Sequence, residues 1–406
     1  MASDNKEHNS QNNTSVNNIV IVAAKRTAMG GFMGGLTEVD ATVLGAAAIK
    51  AALEQAGVSG DKVSEVIMGN VLPAGLGQAP ARQATLKAGL PLSAGSTTIN
   101  KVCGSGLKAV MLASDLLKAG SADVVVAGGM ESMSNAPYLL PKARSGYRMG
   151  HGEIKDHMML DGLENAYDGK AMGCFAQSTA DDKGITREQM DAFAVQSTTR
   201  AQQAISNGAF EAEITPVVFQ TRKGEMTFKV DEQPGNAKLD KIPSLRPAFA
   251  KDGTITAANS SSISDGAAAL VLMRESDAKA HGLTPLVRVV AHATNSMEPA
   301  LFTVAPVGAM QKVLQKAGWD KEQVDLWEIN EAFAMVTMLA INELGLDESK
   351  VNVNGGACAL GHPIGASGAR ILVTLIHALR NRGLSKGIAS LCIGGGEAVA
   401  LAVEVL

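Results

Sequence analysis

Three residues in this sequence have the type and surroundings to do chemistry. Cys103 stands in Asn100-Lys101-Val102-Cys103-Gly104-Ser105-Gly106-Leu107, between an apolar approach and glycines that let another molecule come close to the backbone. His362 is held between Gly361 and Pro363 in a glycine-dense loop, Asn354 to Gly368, that opens onto a helix. Cys392 is followed at once by Ile393-Gly394-Gly395-Gly396. A thiol attacks only as its thiolate, and an imidazole can take its proton, so Cys103 and His362 form a candidate nucleophile and base. Cys103 falls just before a helix, where unpaired N–H groups and the macrodipole are expected to favour the thiolate. His8, His151, His157, His281, His292 and His377 lack such flanks and read as core or surface residues.

The elements that must position these groups follow from periodicity. Leu107, Val110, Met111, Ser114 and Leu117 form one helical stripe after Cys103, Gly120 stops it, and Val124 to Ala127 reads as a buried strand. Earlier, Ile19 to Ala23 reads as a strand, Ala41 to Ala56 as a helix capped by Gly57, and Val63 to Met68 as a strand. Alternation of this kind predicts a parallel sheet covered on both faces. The pattern then recurs: Gly57 pairs with Gly318 and Val63 with Val324, each 261 positions on, and Gly120 with Gly383, 263 on. A near-constant offset predicts two copies of one α/β unit, with the Cys103 loop facing the Ala357 to Gly368 loop across a cleft between them. The predicted halves are 18–132 with 264–284, and 285–406. Residues 133–263 read as an inserted loop domain, with a helix-capping signal at Thr186-Arg187-Glu188-Gln189. Short charged strands follow from Glu213 to Lys229, and Thr221-Arg222-Lys223 is a surface candidate for a phosphate.

Composition narrows the function classes. With 406 residues, 46% of them hydrophobic, the chain can bury more than one core. A net charge of −4 gives no long-range field for nucleic acid or an anionic membrane surface. The four cysteines, Cys103, Cys174, Cys358 and Cys392, are too scattered for a disulfide framework or a C-x-x-C pair, which points to a reducing compartment. Residues 1–17 are polar and Asn-rich, read as a disordered tail, and carry no signal-peptide run. Val403-Glu404-Val405-Leu406 is no peroxisomal address, so a cytoplasmic location is expected.

The blocks Cys103-Gly104-Ser105-Gly106-Leu107-Lys108-Ala109, Asn330-Glu331-Ala332-Phe333-Ala334, Gly361-His362-Pro363-Ile364-Gly365-Ala366-Ser367-Gly368 and Cys392-Ile393-Gly394-Gly395-Gly396 resemble those of the thiolases, in that family's order. Gly128-Gly129-Met130-Glu131-Ser132-Met133-Ser134, Leu245-Arg246-Pro247-Ala248-Phe249 and Ser264-Asp265-Gly266-Ala267-Ala268-Ala269 extend the likeness over roughly Asn18 to Leu406. The resemblance implies an α/β fold of two duplicated halves in a layered αβαβα arrangement plus a loop domain. It also implies an acyltransferase that reversibly condenses two acetyl-CoA into acetoacetyl-CoA and CoA through an acyl-cysteine. Cys103 would be the nucleophile, His362 its base, and Cys392 the acid and base at the α-carbon. Asn330 would hold a water for one oxyanion, and the N–H groups of Cys103 and Gly394 would bind the other. Ser261 would contact the pantetheine arm, with Ala257, Phe249, Ala332, Phe333, Leu163 and Met172 walling the acyl slot. No cofactor or metal is implied beyond coenzyme A as co-substrate, nor nucleic acid or membrane, and the family suggests a homodimer or homotetramer, with Ala136 to Met158 as an assembly loop.

The sequence departs from the family at the edges of the site. Ala171-Met172-Gly173 stands where many biosynthetic members have His-Met-Gly, Gly235 where they have arginine, and Phe302-Thr303-Val304-Ala305-Pro306 where they have Met-Gly-x-Gly-Pro. These changes bear on nucleotide contacts and acyl selectivity, and bulky Phe302 points to a short acyl chain. Two alternatives share the pattern in part: a degradative 3-ketoacyl-CoA thiolase of broader chain length, and a non-catalytic acyl-CoA or lipid-binding protein of this fold.

Overall fold

A computed structural model describes residues 18–406, and the tail expected over 1–17 lies outside them. In chain order the elements that matter to the site begin with β1 (Ile19–Thr27), α1 (Ala41–Ala56), β2 (Glu65–Gly69), α2 (Pro80–Lys87), β3 (Gly95–Ile99), α3 (Ser105–Ala119) and β4 (Val124–Ser132). The helices α4 (Met172–Asp182) and α5 (Arg187–Ser206) lie in the loop segment. They are followed by β5 (Ser264–Arg274), β6 (Val287–Ser296), α6 (Ala305–Ala317), β7 (Leu326–Ile329), α7 (Ala334–Leu344), α8 (Ser367–Arg382), β8 (Lys386–Ile393) and β9 (Glu397–Val405).

The sheet is mixed, which corrects the parallel sheet expected from the sequence. Its long strands run β7-β8-β9-β6-β1-β5-β4-β2-β3. Among these long strands parallel pairing is confined to β7 with β8, β2 with β4 and β2 with β3, and the pairs between are antiparallel. The cause on one side is local: Gly395 and Gly396, at φ 93° and 88°, fold β8 straight back into β9, and a tight hairpin admits only antiparallel strands. The duplication is visible in this order. The run β2, β4, β5, β1 and the run β7, β8, β9, β6 have the same sequence of one parallel and two antiparallel pairings, and they meet where β1 pairs β6.

Alternation along the strands sorts side chains into layers. Val20, Val126 and Val271 pack outward on α1 and α2, while Ile19, Ile21, Val125 and Leu270 point inward to α3 and α8. In the second half Leu391, Val399 and Leu401 face the same central helices, while Ala398, Ala400 and Trp327 face α6 and α7. The result is helix, sheet, helix, sheet, helix. Gly57, Gly120, Gly318 and Gly383 each end a helix in the left-handed conformation, at φ 65°, 73°, 67° and 65°. In the loop segment α5 opens with the expected capping box, Thr186 with Gln189.

The central helices cross at their N-termini. A Cβ on Gly106 would lie 2.7 Å from the Ala369 nitrogen, and one on Gly368 would run into the Leu107 nitrogen. Two glycines at matching places therefore let two backbones touch, and that contact brings the loops before α3 and α8 side by side.

Candidate active site

The turn before α3 is strained and pinned. Val102 has φ 45°, a region costly for a β-branched residue. Its N–H donates to the Asn100 side chain at 2.8 Å, and its carbonyl accepts from the Ser105 hydroxyl at 2.7 Å. Ser105 Oγ in turn accepts the Lys101 N–H at 2.8 Å, and the Gly104 N–H closes the turn on the Lys101 carbonyl at 3.0 Å. The consequence is a thiol at the tip of an inflexible turn, partly open to a cavity.

A related arrangement before α8 sets the histidine. The Ser367 hydroxyl donates its one proton to the Pro363 carbonyl at 2.9 Å, so the 2.5 Å contact with His362 Nδ1 has the ring as donor. Nδ1 therefore carries the ring proton. Nε2, bare and without a partner among the described residues, is left to act as a base on the same cavity. Burial, reinforced by Arg370, pushes the His362 pKa down to about 3, so the resting imidazole is neutral.

Burial also governs the two thiols. The Cys103 pKa is pushed up to about 11, against the pull of the Gly394 and Cys103 N–H groups, so the resting residue is a thiol. That corrects the thiolate expected from its place ahead of a helix: desolvation outweighs the N–H groups. Cys392, fully buried at the end of β8, is pushed well above the usual thiol range by burial and then by Cys103 itself.

One cavity of about 420 Å³ is lined by Cys103, His362, Cys392 and Gly394. Its walls include Met172, Phe249, Phe302, Phe333, Leu163, Ala332, Ala257 and Ser261, so twelve of the thirteen residues singled out in the sequence meet there. Phe333 meets Phe249 and Phe302 edge to face, with centroids 6.1 and 6.4 Å apart, closing one side with rigid rings. Asn330 is the exception. It lies behind the wall, fully buried, with neither amide atom bonded to any described residue. Thr221-Arg222-Lys223 sits at the turn of a two-stranded ribbon, and neither it nor Gly235 reaches the cavity.

Two family models divide the chain between them, thiolase N-terminal domain over residues 19–276 and thiolase C-terminal domain over 283–405. The chain belongs to the thiolase family. This thiolase is 55% identical over 391 residues to an acetyl-CoA acetyltransferase of Escherichia coli, covering 96% of this chain and 99% of that one. It is 54% identical over 388 residues to that of Cupriavidus necator, covering 95% and 99%. Among solved structures, the acetyl-CoA acetyltransferase of Bacillus anthracis superposes at a TM-score of 0.94 with 43% identity, over 97% of this chain and 100% of that one. A thiolase of Ascaris suum in complex with coenzyme A superposes at 0.91 with 43% identity, over 96% and 100%.

Reading the thiolase sequence by itself misses the residues that hold the loops. Glu131 is buried at the end of β4 and accepts from Asn70 Nδ2 at 2.7 Å, Val71 N at 3.0 Å and Leu72 N at 3.1 Å in its own half. From the other half it accepts Gly365 N at 2.8 Å, which ties the histidine loop to β4. Burial holds its pKa up at about 7 against those N–H groups. Glu331 does similar work, accepting from Ser197, Asn352 and the Cys358 N–H. Both acids stand inside blocks the sequence does single out, and Glu331 directly follows Asn330.

Proposed function

We propose that this thiolase is an acetyl-CoA C-acetyltransferase, forming and cleaving acetoacetyl-CoA through an acetyl group held on Cys103. One observation carries the reading: two thiols, a bare imidazole nitrogen and the Gly394 backbone converge on one cavity from loops of both halves. His362 Nε2 takes the Cys103 proton, and the thiolate attacks the thioester carbonyl. Oxygen charge then develops against the N–H groups of Cys103 and Gly394. CoA leaves with the proton from His362, and a thioester remains on the enzyme. Cys392 next works at the α-carbon of a second acetyl-CoA. Its burial makes its thiolate unusually basic, which suits a carbon acid. Cys392 gives its resting proton to the neutral His362 and takes one from the α-carbon, and the carbanion attacks the acetyl carbonyl on Cys103. The new carbon–carbon bond expels the Cys103 thiolate, which regains its proton from His362, and in cleavage the Cys392 thiol returns a proton to carbon. The enolate oxygen is met by the proton that His362 then carries on Nε2, and by a water on the Asn330 amide, which has no partner among the described residues.

The names of the close relatives support acetyl-CoA as substrate, and the Ascaris suum complex supports coenzyme A as the second product or substrate. The Phe249, Phe333 and Phe302 cluster supports a short acyl group. A dimer or tetramer is our expectation for the assembly, since Tyr138, Leu140, Met149 and Ile154 expose apolar surface in the segment read as an assembly loop. The cytoplasm is our expected location; among the described residues no helix is long and apolar enough to cross a membrane.

The test is mass mapping after mixing with acetyl-CoA, followed by thiolysis of 3-ketoacyl-CoA of increasing length. Wild type should gain one acetyl group on Cys103 and be fastest with acetoacetyl-CoA. Cys392→Ala should still be acetylated but should not condense. Absence of any adduct would favour a binding protein, and a kcat/KM that climbs with chain length would favour the broader degradative enzyme.

A further inference from the structure

The second oxyanion hole is assembled from both halves of the chain. Its two donors, the N–H groups of Cys103 and Gly394, sit on loops that belong to different repeats and are strained or glycine-dependent: Val102 at φ 45°, Gly395 at 93° and Gly396 at 88°. Donors of this kind must be fixed to a fraction of an ångström before the charge develops. Asn100 and Ser105 pin the first loop from within its own half, and the Gly396 carbonyl accepts the Met297 N–H at 2.8 Å in the other. Between the loops runs one ion pair. Lys101, two residues before Cys103, donates through Nζ to Glu397 Oε2 at 2.6 Å, and Glu397 follows Gly394 by three. Its other oxygen accepts from the Ser296 hydroxyl at 3.0 Å, which holds the carboxylate from the neighbouring strand. The two side chains are 22% and 32% exposed, and neither residue lines the cavity.

The geometry points to Lys101 and Glu397 as a positioning pair that sets the spacing of the Cys103 and Gly394 donors across the two halves. The pair does not touch substrate and acts through the turns on either side of it. This rests on the acetyltransfer reading above and deepens it. A partly exposed ion pair contributes little to global stability. Its effect on a pre-organised site can be larger, because a small displacement of a donor costs rate directly.

The experiment compares Lys101→Met, Glu397→Gln, the double variant and the exchanged pair Lys101→Glu with Glu397→Lys. Each is measured for thiolysis of acetoacetyl-CoA, urea midpoint and acetylation of Cys103. Either single substitution is expected to lower kcat about tenfold with KM within about twofold and the midpoint nearly unchanged. The double variant should lose no more than a single one, and the exchanged pair should recover part of the rate. The proposal is overturned if the single variants keep wild-type kcat, if their losses multiply in the double variant, or if the loss tracks the urea midpoint. A rise in KM alone would make Lys101 a substrate contact and also overturn it. If wild type acquires no acetyl group on Cys103, the acetyltransfer reading itself fails, which the variants alone would not reveal.

Discussion

At the scale of single residues the candidate site is uncharged at rest. Cys103 near 11 and His362 near 3 are both neutral across the physiological range, so proton transfer between them must be driven by the developing bond. A thiol with a raised pKa gains thiolate tenfold per pH unit well past neutrality. Alkylation of the free enzyme at Cys103, followed by peptide mapping, should therefore climb steadily from pH 7 to about 10 with no plateau near 7. A plateau near neutrality would mean that the N–H groups of the turn and helix prevail over burial. Ser367 governs which ring nitrogen is bare. Ser367→Ala removes the acceptor from Nδ1 and admits the other tautomer. Thiolysis should lose about tenfold in kcat with KM unchanged, the equivalent of one hydrogen bond to the ring, about 1 to 1.5 kcal/mol.

At the scale of elements the site depends on two helices that touch where neither has a side chain. A methyl on Gly368 would meet the backbone nitrogen of Leu107, which cannot move without shifting the Cys103 turn. Gly368→Ala should cost about 1 to 3 kcal/mol or more in urea unfolding. Gly57→Ala, at φ 65° with open space around it, should cost only the left-handed penalty of about 1 to 2 kcal/mol and leave kcat alone. The helix ends were legible in the sequence, because a glycine after an apolar stripe has one common structural meaning, and Gly57, Gly120, Gly318 and Gly383 all carry it. The residues proposed to react stood out because cysteine and histidine amid glycines are chemically conspicuous, and they line one cavity. Strand direction was not, since it is set by which strands pair across long connections, and apolar runs look alike in either direction. Nor were Glu131 and Val102. An acid in a buried strand has no periodic signature, and nothing about valine announces a left-handed turn.

At the scale of the whole molecule, the two repeats share their middle. The inward faces of both sets of strands and both central helices form one continuous core, with Leu107, Val110, Ile371 and Leu375 packed among Val125, Leu270, Leu391 and Val399. Two separate domains joined by a linker would each bury their own core and could melt apart. Here neither half can lose α3 or α8 without exposing the other, and the candidate site lies where those helices begin. The sequence provides a clean way to test this, because both of its tryptophans, Trp319 and Trp327, lie in the C-terminal half. Trp327 is buried between β8 and the outer helices, so its fluorescence reports that half alone. Far-ultraviolet circular dichroism reports helices of both. In urea the two signals should share one midpoint and one slope, and thiolysis activity should vanish over the same interval. A dichroism change that precedes the fluorescence change would mean that the N-terminal half lets go on its own, and the shared layer would then be contact without cooperation.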